Sequence, residues 1–254
     1  MTKLRATGIT AMTATANIGG ALLIGATALL TSMTANADDD CRARMDIFEE
    51  YGLDGISDLS VDAGAGKLVV IGDPDLTRAE VTGVACASDE DDLKRISVES
   101  SRDGTTLELR TEIPRRSQSW IGNNYARLDL EIRVPNNYPL RIVDTSGSMT
   151  ISNIAAVEIE DGSGSINVQD VRGDVEIIED GSGSITVVRA GGVHIREDGS
   201  GSITTAQIEN DVYVGRDGSG SISAEDVGGS FTVKRDSTGS VNHRNVAGTV
   251  QISD

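Results

Sequence analysis

The sequence predicts an all-β fold, a β-solenoid-like stack of short strands with a period near 19 residues, preceded by a strand-rich N-terminal segment. Three observations carry this. Asp-Gly-Ser-Gly-Ser-Ile at 161–166 returns at Asp180, Asp198 and Asp217, and in altered form at Asp144 and Asp236. The steps between those six aspartates are 17, 19, 18, 19 and 19 residues, and a period of that size marks a repeat architecture. Aromatic residues make up only 3% while glycine occurs 29 times, so a core must come from Val, Ile and Leu on strands joined by tight turns.

The chain opens as an export signal. Lys3 and Arg5 precede a mainly apolar run from Ile18 to Leu30, no acidic residue occurs before Asp38, and Thr34-Ala35-Asn36-Ala37 follows the run. A basic start, a short apolar stretch and Ala-x-Ala describe a secretory signal peptide over 1–37, cut to leave Asp38 as the mature N-terminus. As a helix the apolar run reaches only about 20 Å, short of a bilayer core. Three aspartates precede Cys41 in place of a small apolar box, which argues against lipid attachment there. No other stretch is apolar enough to cross a membrane, so the mature chain is expected to lack a transmembrane segment and to reside in the periplasm or at the cell surface.

Loss of Lys3 and Arg5 takes the formal charge from −18 to −20. That much acid opposes binding to nucleic acid or anionic lipid and keeps particles apart. Cys41 and Cys86 remain, and in an oxidising compartment the simplest state of such a pair is one disulfide, with two buried thiols as the alternative. Closing that separation would contribute about 3 to 4 kcal/mol by loop entropy. The only histidines, His194 and His243, lie far from both cysteines, so no metal site is expected.

Residues 38–143 read as an N-terminal β segment. Arg42 to Tyr51 has Met45, Phe48 and Glu49 at helical spacing and is expected to form one short helix. From Ile56 the period changes to two. Leu59 to Asp62, Lys67 to Ile71 and Ala79 to Ala85 read as strands, with Ala63-Gly-Ala-Gly66 as a turn and Ala87 to Lys94 as an acidic loop. Ile96 to Ser100 and Thr106 to Arg110 alternate about Arg102-Asp103-Gly104, a hairpin signal. Leu128, Leu130, Ile132 and Val134 make a strand that stops at Pro135. Pro114 to Tyr125, with Arg115, Arg116, Trp120 and Tyr125, is the one basic and aromatic cluster of an acidic chain. Its functional reading is a contact loop for a sugar, peptide or wall polymer. Its structural reading, favoured by loop length, is a hairpin loop whose Trp120 covers one end of the core.

Residues 144–254 hold six repeats continuous with that segment. Counted from the leading aspartate, the sixth position holds Met149, Ile166, Ile185, Ile203, Ile222 and Val241, and the eighth holds Ile151, Val168, Val187, Thr205, Ala224 and His243. After a glycine-rich bend come Val157, Val175, Val193, Val212, Phe231 and Val250. Two short strands per repeat, stacked like on like, would bury these columns. An antiparallel sandwich of hairpins is the alternative that the same alternation permits, and the constant period favours the solenoid.

Residues 56–70 (Ile-Ser-Asp-Leu-Ser-Val-Asp-Ala-Gly-Ala-Gly-Lys-Leu-Val-Val), Asp-Leu-Glu-Ile-Arg-Val-Pro at 129–135 and the recurring Gly-Ser-Gly-Ser-Ile resemble bacterial adhesin-like domains of toast-rack or head-GIN type. The resemblance spans Ile56 to Asp254. It implies an all-β stack exposed in the cell envelope and brings no catalytic residues.

The residues themselves point the same way. Gly-Ser-Gly-Ser precedes strands, so it is neither a nucleophile elbow nor a phosphate loop. His194 falls in an outward column beside Glu176 and Tyr213, and His243 in an inward column at the end of the stack. No catalytic residue, cofactor or metal is therefore expected. A second outward column changes sign, from Glu158, Glu160, Glu176 and Glu179 through Arg196 and Glu197 to Arg216, Lys234 and Arg235, and reads as cross-strand pairing before it reads as a docking face. The aspartate column needs something to offset its repulsion. Local backbone N–H groups at a solvent-facing turn are expected to supply it, in preference to calcium. The expected function is an exported, non-catalytic, adhesin-like or structural envelope protein that presents a rigid β surface to an unknown envelope or extracellular component. A glycan-binding, small-ligand or hydrolytic domain using the 114–125 loop is the alternative. The last coil, Val241 to Ser253, is expected to leave an edge open to end-to-end self-association.

Overall fold

A strand that alternates apolar and polar residues buries one side only, so a chain of such strands must turn and stack to hide the other. In a computed structural model that describes residues 41–114 and 125–253, it does so as a β-solenoid, 69% strand and 2% helix. The signal-peptide residues and the Asp38 terminus lie outside the described residues.

The N-terminal part contributes β1 (Ala43–Gly52), β2 (Asp58–Ala65), β3 (Leu68–Asp73), β4 (Arg78–Ala87), a short helix α1 (Glu90–Leu93), β5 (Ser97–Asp103), β6 (Thr106–Glu112) and β7 (Ala126–Pro135). Next come β8 (Pro139–Ser146), β9 (Met149–Ser152), β10 (Ala156–Asp161), β11 (Ile166–Asp180), β12 (Ile185–Asp198) and β13 (Ile203–Ile208). The chain ends with β14 (Val212–Asp217), β15 (Gly220–Val227), β16 (Phe231–Val233), β17 (Gly239–Val246) and β18 (Val250–Ile252).

Hydrogen bonding winds these strands into two facing walls. One wall runs β5-β6-β2-β8-β10, then the second halves of β11 and β12, then β14-β16-β18. The other runs β1-β4-β7-β3-β9, then the first halves of β11 and β12, then β13-β15-β17. Pairing is parallel except where β1, β4 and β5 join. The core is the narrow space between the walls. Ile151, Ile166, Ile185 and Ile203 line one side and Ile142, Ile159, Ile177 and Ile195 the other, all with no exposed surface.

Two corners per coil make this winding possible. At the tenth position Asn153, Asp170, Arg189, Gln207, Asp226 and Asn245 all take φ between 54° and 58°. A single left-handed residue turns the chain there without ending the strand, so β11 and β12 run through from wall to wall. At the other corner Gly201 has φ 139°, and a Cβ there would sit 1.4 Å from the carbonyl oxygen of Gly183 in the preceding coil. Only glycine lets successive Gly-Ser-Gly turns nest that closely.

Spatial order departs from chain order near the N-terminus. The β2–β3 coil lies between the β6–β7 coil and the β8–β9 coil. Leu59 pairs with Leu107 on one side and Leu140 on the other, and Leu68 with Leu130 and Met149.

Two expectations are corrected. Residues 42–51 form no helix: β1 lies antiparallel to β4, with Met45, Ile47 and Tyr51 half-buried and Arg44, Asp46, Phe48 and Glu50 exposed. Apolar residues at 45, 47, 48 and 51 satisfy both periods, and the free edge of β4 decides between them. The acidic 87–94 loop contains α1, because the Asp89 side chain caps it by accepting the Asp92 N–H at 2.9 Å and three acids occupy its first turn. The hairpin at 102–104, the strand ending at Pro135 and the Cys41–Cys86 disulfide (Cα–Cα 5.3 Å) are found as expected.

Candidate functional site

Of the loop residues singled out in the sequence, Arg115, Arg116 and Trp120 lie outside the described residues. Tyr125 is half-buried where the chain re-enters β7, and its hydroxyl accepts the Arg42 N–H at 2.9 Å. That bond ties one root of the loop to the residue beside the Cys41–Cys86 bridge. Near the other root, a polar groove of about 380 Å³ crosses β5, β6, β2 and β8. Glu99, Ser101, Glu108 and Glu112 line it, with Arg110 reaching Asp62 at 3.2 Å across its floor.

The outward column that changes sign is largely self-paired. Arg141 grips Glu158 and Glu160 at 2.5 and 2.7 Å, Arg196 holds Glu176, and Arg216 holds Glu197. At the left-handed corner Arg189 holds Asp170 through two bonds of 2.5 and 2.9 Å, drawing the Asp170 carboxyl below its ordinary value, and on the other wall Arg244 pairs with Glu225. These pairs are exposed, so each contributes little more than a few tenths of a kcal/mol. Together they fix the side chains of two flat faces. Lys234 and Arg235 have no carboxylate partner among the described residues.

His194 is exposed, edge-on to Tyr213 at 4.6 Å between ring centres. His243 occupies the inward column opposite Ala224, yet it is exposed because no coil stacks beyond β17 among the described residues. Val241, Val246 and Val250 are only partly buried there, and Ile252 is 42% exposed. Among the described residues no helix is long and apolar enough to cross a membrane.

The aspartate column is not where the sequence reading placed it. Asp144, Asp161, Asp180, Asp198 and Asp217 point inward and are 0–4% exposed. They are register partners on successive parallel strands, with Asp217 bridging to Asp236 at the end and Ala63 opposite Asp144 at the start. The expected local bond is present: the N–H of Ser163, Ser182 and Ser200 reaches Oδ1 of Asp161, Asp180 and Asp198 at 3.1–3.2 Å. It satisfies one oxygen only. Oδ2 of each of these three has no hydrogen-bond partner, nor has either oxygen of Asp144 or Asp217. Burial, and then the neighbouring aspartates, push Asp144 and Asp180 up to about 6 and Asp198 up to about 7.

No family model matches the sequence, and no curated protein matches it. Among solved structures the chain is similar to a candidate cell adhesion protein from Clostridium sporogenes, at 13% identity and TM-score 0.35, covering 83% of this chain and 99% of that one. It is also similar to a candidate adhesin from Bacteroides fragilis, at 15% and 0.37, covering 82% and 97%. A candidate lipid binding protein from Parabacteroides distasonis gives 10% and 0.28, covering 82% and 97%.

Proposed function

We propose that this chain is an exported, non-catalytic, adhesin-like module of the cell envelope that presents a rigid β surface to another envelope or extracellular component. The observation that carries the reading is the pair of flat walls whose outward side chains are held in cross-coil ion pairs, Arg141 with Glu158 and Glu160 on one and Arg244 with Glu225 on the other. A surface ordered before contact loses little side-chain freedom on docking, which favours recognition of an extended partner. The Cys41–Cys86 bridge supports an oxidising compartment. Capture from envelope extract by the immobilised chain tests the reading. An extended wall as docking surface predicts one retained component, lost when Arg141 and Arg196 are changed together to Glu. Equal retention by the double variant removes the walls from the account.

The open last coil supports a second contact, end to end with another copy. The outer edges of β17 and β18 are bare among the described residues, and in the coil just before them Lys234 and Arg235 have no carboxylate partners there. Light scattering at rising concentration would detect it, and Val241→Pro should abolish it.

The loop reading keeps one specific support. The Tyr125–Arg42 bond anchors one root, and Glu112 of the polar groove lies two residues before Pro114 at the other. Binding of glycans through Arg115, Arg116 and Trp120 predicts signal on a glycan array that Trp120→Ala removes.

A further inference from the structure

A carboxylate oxygen taken out of water without a donor is costly, and this stack repeats that arrangement coil after coil. The orphan carboxyl oxygens of Asp144, Asp161, Asp180, Asp198 and Asp217 belong to one column, stand in register and sit in the core. In-register strands are about 4.8 Å apart, and the two oxygens of a carboxyl group are about 2.2 Å apart. Carboxyl groups aligned along the stack axis therefore leave about 2.6 Å between one residue's Oδ2 and the next residue's Oδ1, the distance of a short O–H···O bond.

We propose that the column from Asp144 to Asp217 binds protons in the core, with neighbouring carboxyls sharing them in a continuous O–H···O chain along the solenoid axis. Each Oδ2 except that of the terminal member carries a proton taken from solvent and donates it to Oδ1 of the neighbouring coil. In Asp161, Asp180 and Asp198 that Oδ1 has a second lone pair for the serine N–H it already accepts. Five carboxyls linked by four such protons keep a single negative charge, so the interior holds one charge in place of five.

A metal ion fits less well. Midway between two coils it would meet two carboxylate oxygens and otherwise apolar walls, whereas calcium takes 6–8 oxygens. Among the described residues no three carboxylates converge on one point.

The surroundings supply no competing charge inside. On the column's own strands Glu160, Glu179, Glu197 and Arg216 lie next to it in sequence and are not buried, and Glu197 and Arg216 pair with each other. Asp62 of β2 adds repulsion at the Asp144 end. The inward positions of the facing strands carry Ile166 and Val168, Ile185 and Val187, Ile203 and Thr205, then Ile222 and Ala224. His243 of β17, exposed at the far end, is the one titratable group among them. The Thr205 hydroxyl turns to the Ser223 carbonyl instead. The raised values of Asp144, Asp180 and Asp198 agree with this arrangement.

The test is a carbon-13 titration of aspartate side-chain carboxyls in the full chain from pH 3 to 9. The expected result is a group of carboxyl signals still protonated at pH 6, above the ordinary aspartate range. Asp198→Asn is expected to fold and to lose one signal from that group, while Asp170→Asn, outside the column, leaves the group intact. If every aspartate titrates with a midpoint near about 4, the proposal fails. It fails equally if millimolar calcium ionises the group and native mass spectrometry finds the ion bound. The wild-type titration decides the matter even where a variant does not fold.

Discussion

Asp180 and Asp198 stand opposite one another on adjacent parallel segments, each 1% exposed, and Oδ2 of neither receives a hydrogen bond. Burial raises both carboxyls, Asp180 to about 6 with repulsion from Asp161 added, and Asp198 to about 7 with repulsion from Asp180 and Asp217 added. The sign of the resulting pH dependence follows. A carboxyl whose folded value exceeds its unfolded value near about 3.9 binds protons more tightly in the native state, so its contribution is fully present below the unfolded value and is lost as pH rises through the folded one. The column thus makes the protein more stable at pH 5 than at pH 8, by on the order of a few kcal/mol across the coupled set. Urea unfolding at the two values checks this, and equal midpoints would contradict it.

Ile203 is fully buried and Thr204, its neighbour, is exposed. Ile203→Asp should cost several kcal/mol or unfold the repeats, since it adds an unpaired carboxylate in an aliphatic column. Thr204→Asp should stay within about 0.5 kcal/mol of wild type. Thermal melts of the pair distinguish inside from outside directly.

Gly201 nests against Gly183, and Gly201→Ala should be among the most damaging of small changes. The methyl would overlap a backbone carbonyl that cannot move without shifting a whole coil, and φ 139° adds strain of about 1–3 kcal/mol. A fall in melting temperature well beyond that of Ser200→Ala is the expected outcome. Equal falls would mean that the turns do not nest.

Gln207 occupies a left-handed corner at φ 57° and is exposed. A residue with a Cβ pays about 1–2 kcal/mol there, so Gln207→Gly should be neutral or stabilising by up to about 1 kcal/mol although it removes a side chain. The same change at Thr204, in the middle of β13, should destabilise. Denaturant midpoints for the two variants provide the comparison.

The repeat columns were legible because the sixth and eighth positions keep strict alternation, as Ile203 and Thr205 do in β13 and Ile222 and Ala224 in β15. The inward turn of the aspartates was not. In the first repeats Val157, Ile159 and Asp161 share one parity, which would have revealed it. Later coils insert a residue, giving Val175, Ile177 and Asp180, and the pairing of β10 with β11 shifts register at that point. The left-handed corner was hidden because Arg189 and Gln207 break an otherwise Asn/Asp column. The place of the β2–β3 coil could not be read either, since Leu59 finds Leu140 by pairing across 81 residues and no local pattern encodes that. Of the loop with Arg115, Arg116 and Trp120, only the roots at Pro114 and Tyr125 are described.

That displaced coil also sets an order of events in folding. From β10 onward each strand closes on the coil before it in sequence, a short loop with a small entropic cost, so the repeats can assemble by propagation from any point. The β2–β3 coil has no such neighbour. It must wait, on one side for β6 and β7 and on the other for β8 and β9, all of them later in the chain. Distant pairings of this kind form slowly. In pulse-labelled hydrogen exchange during refolding, amides of β12 and β13 should therefore gain protection before those of β2 and β3, making the N-terminal end of the rod the last part to become native.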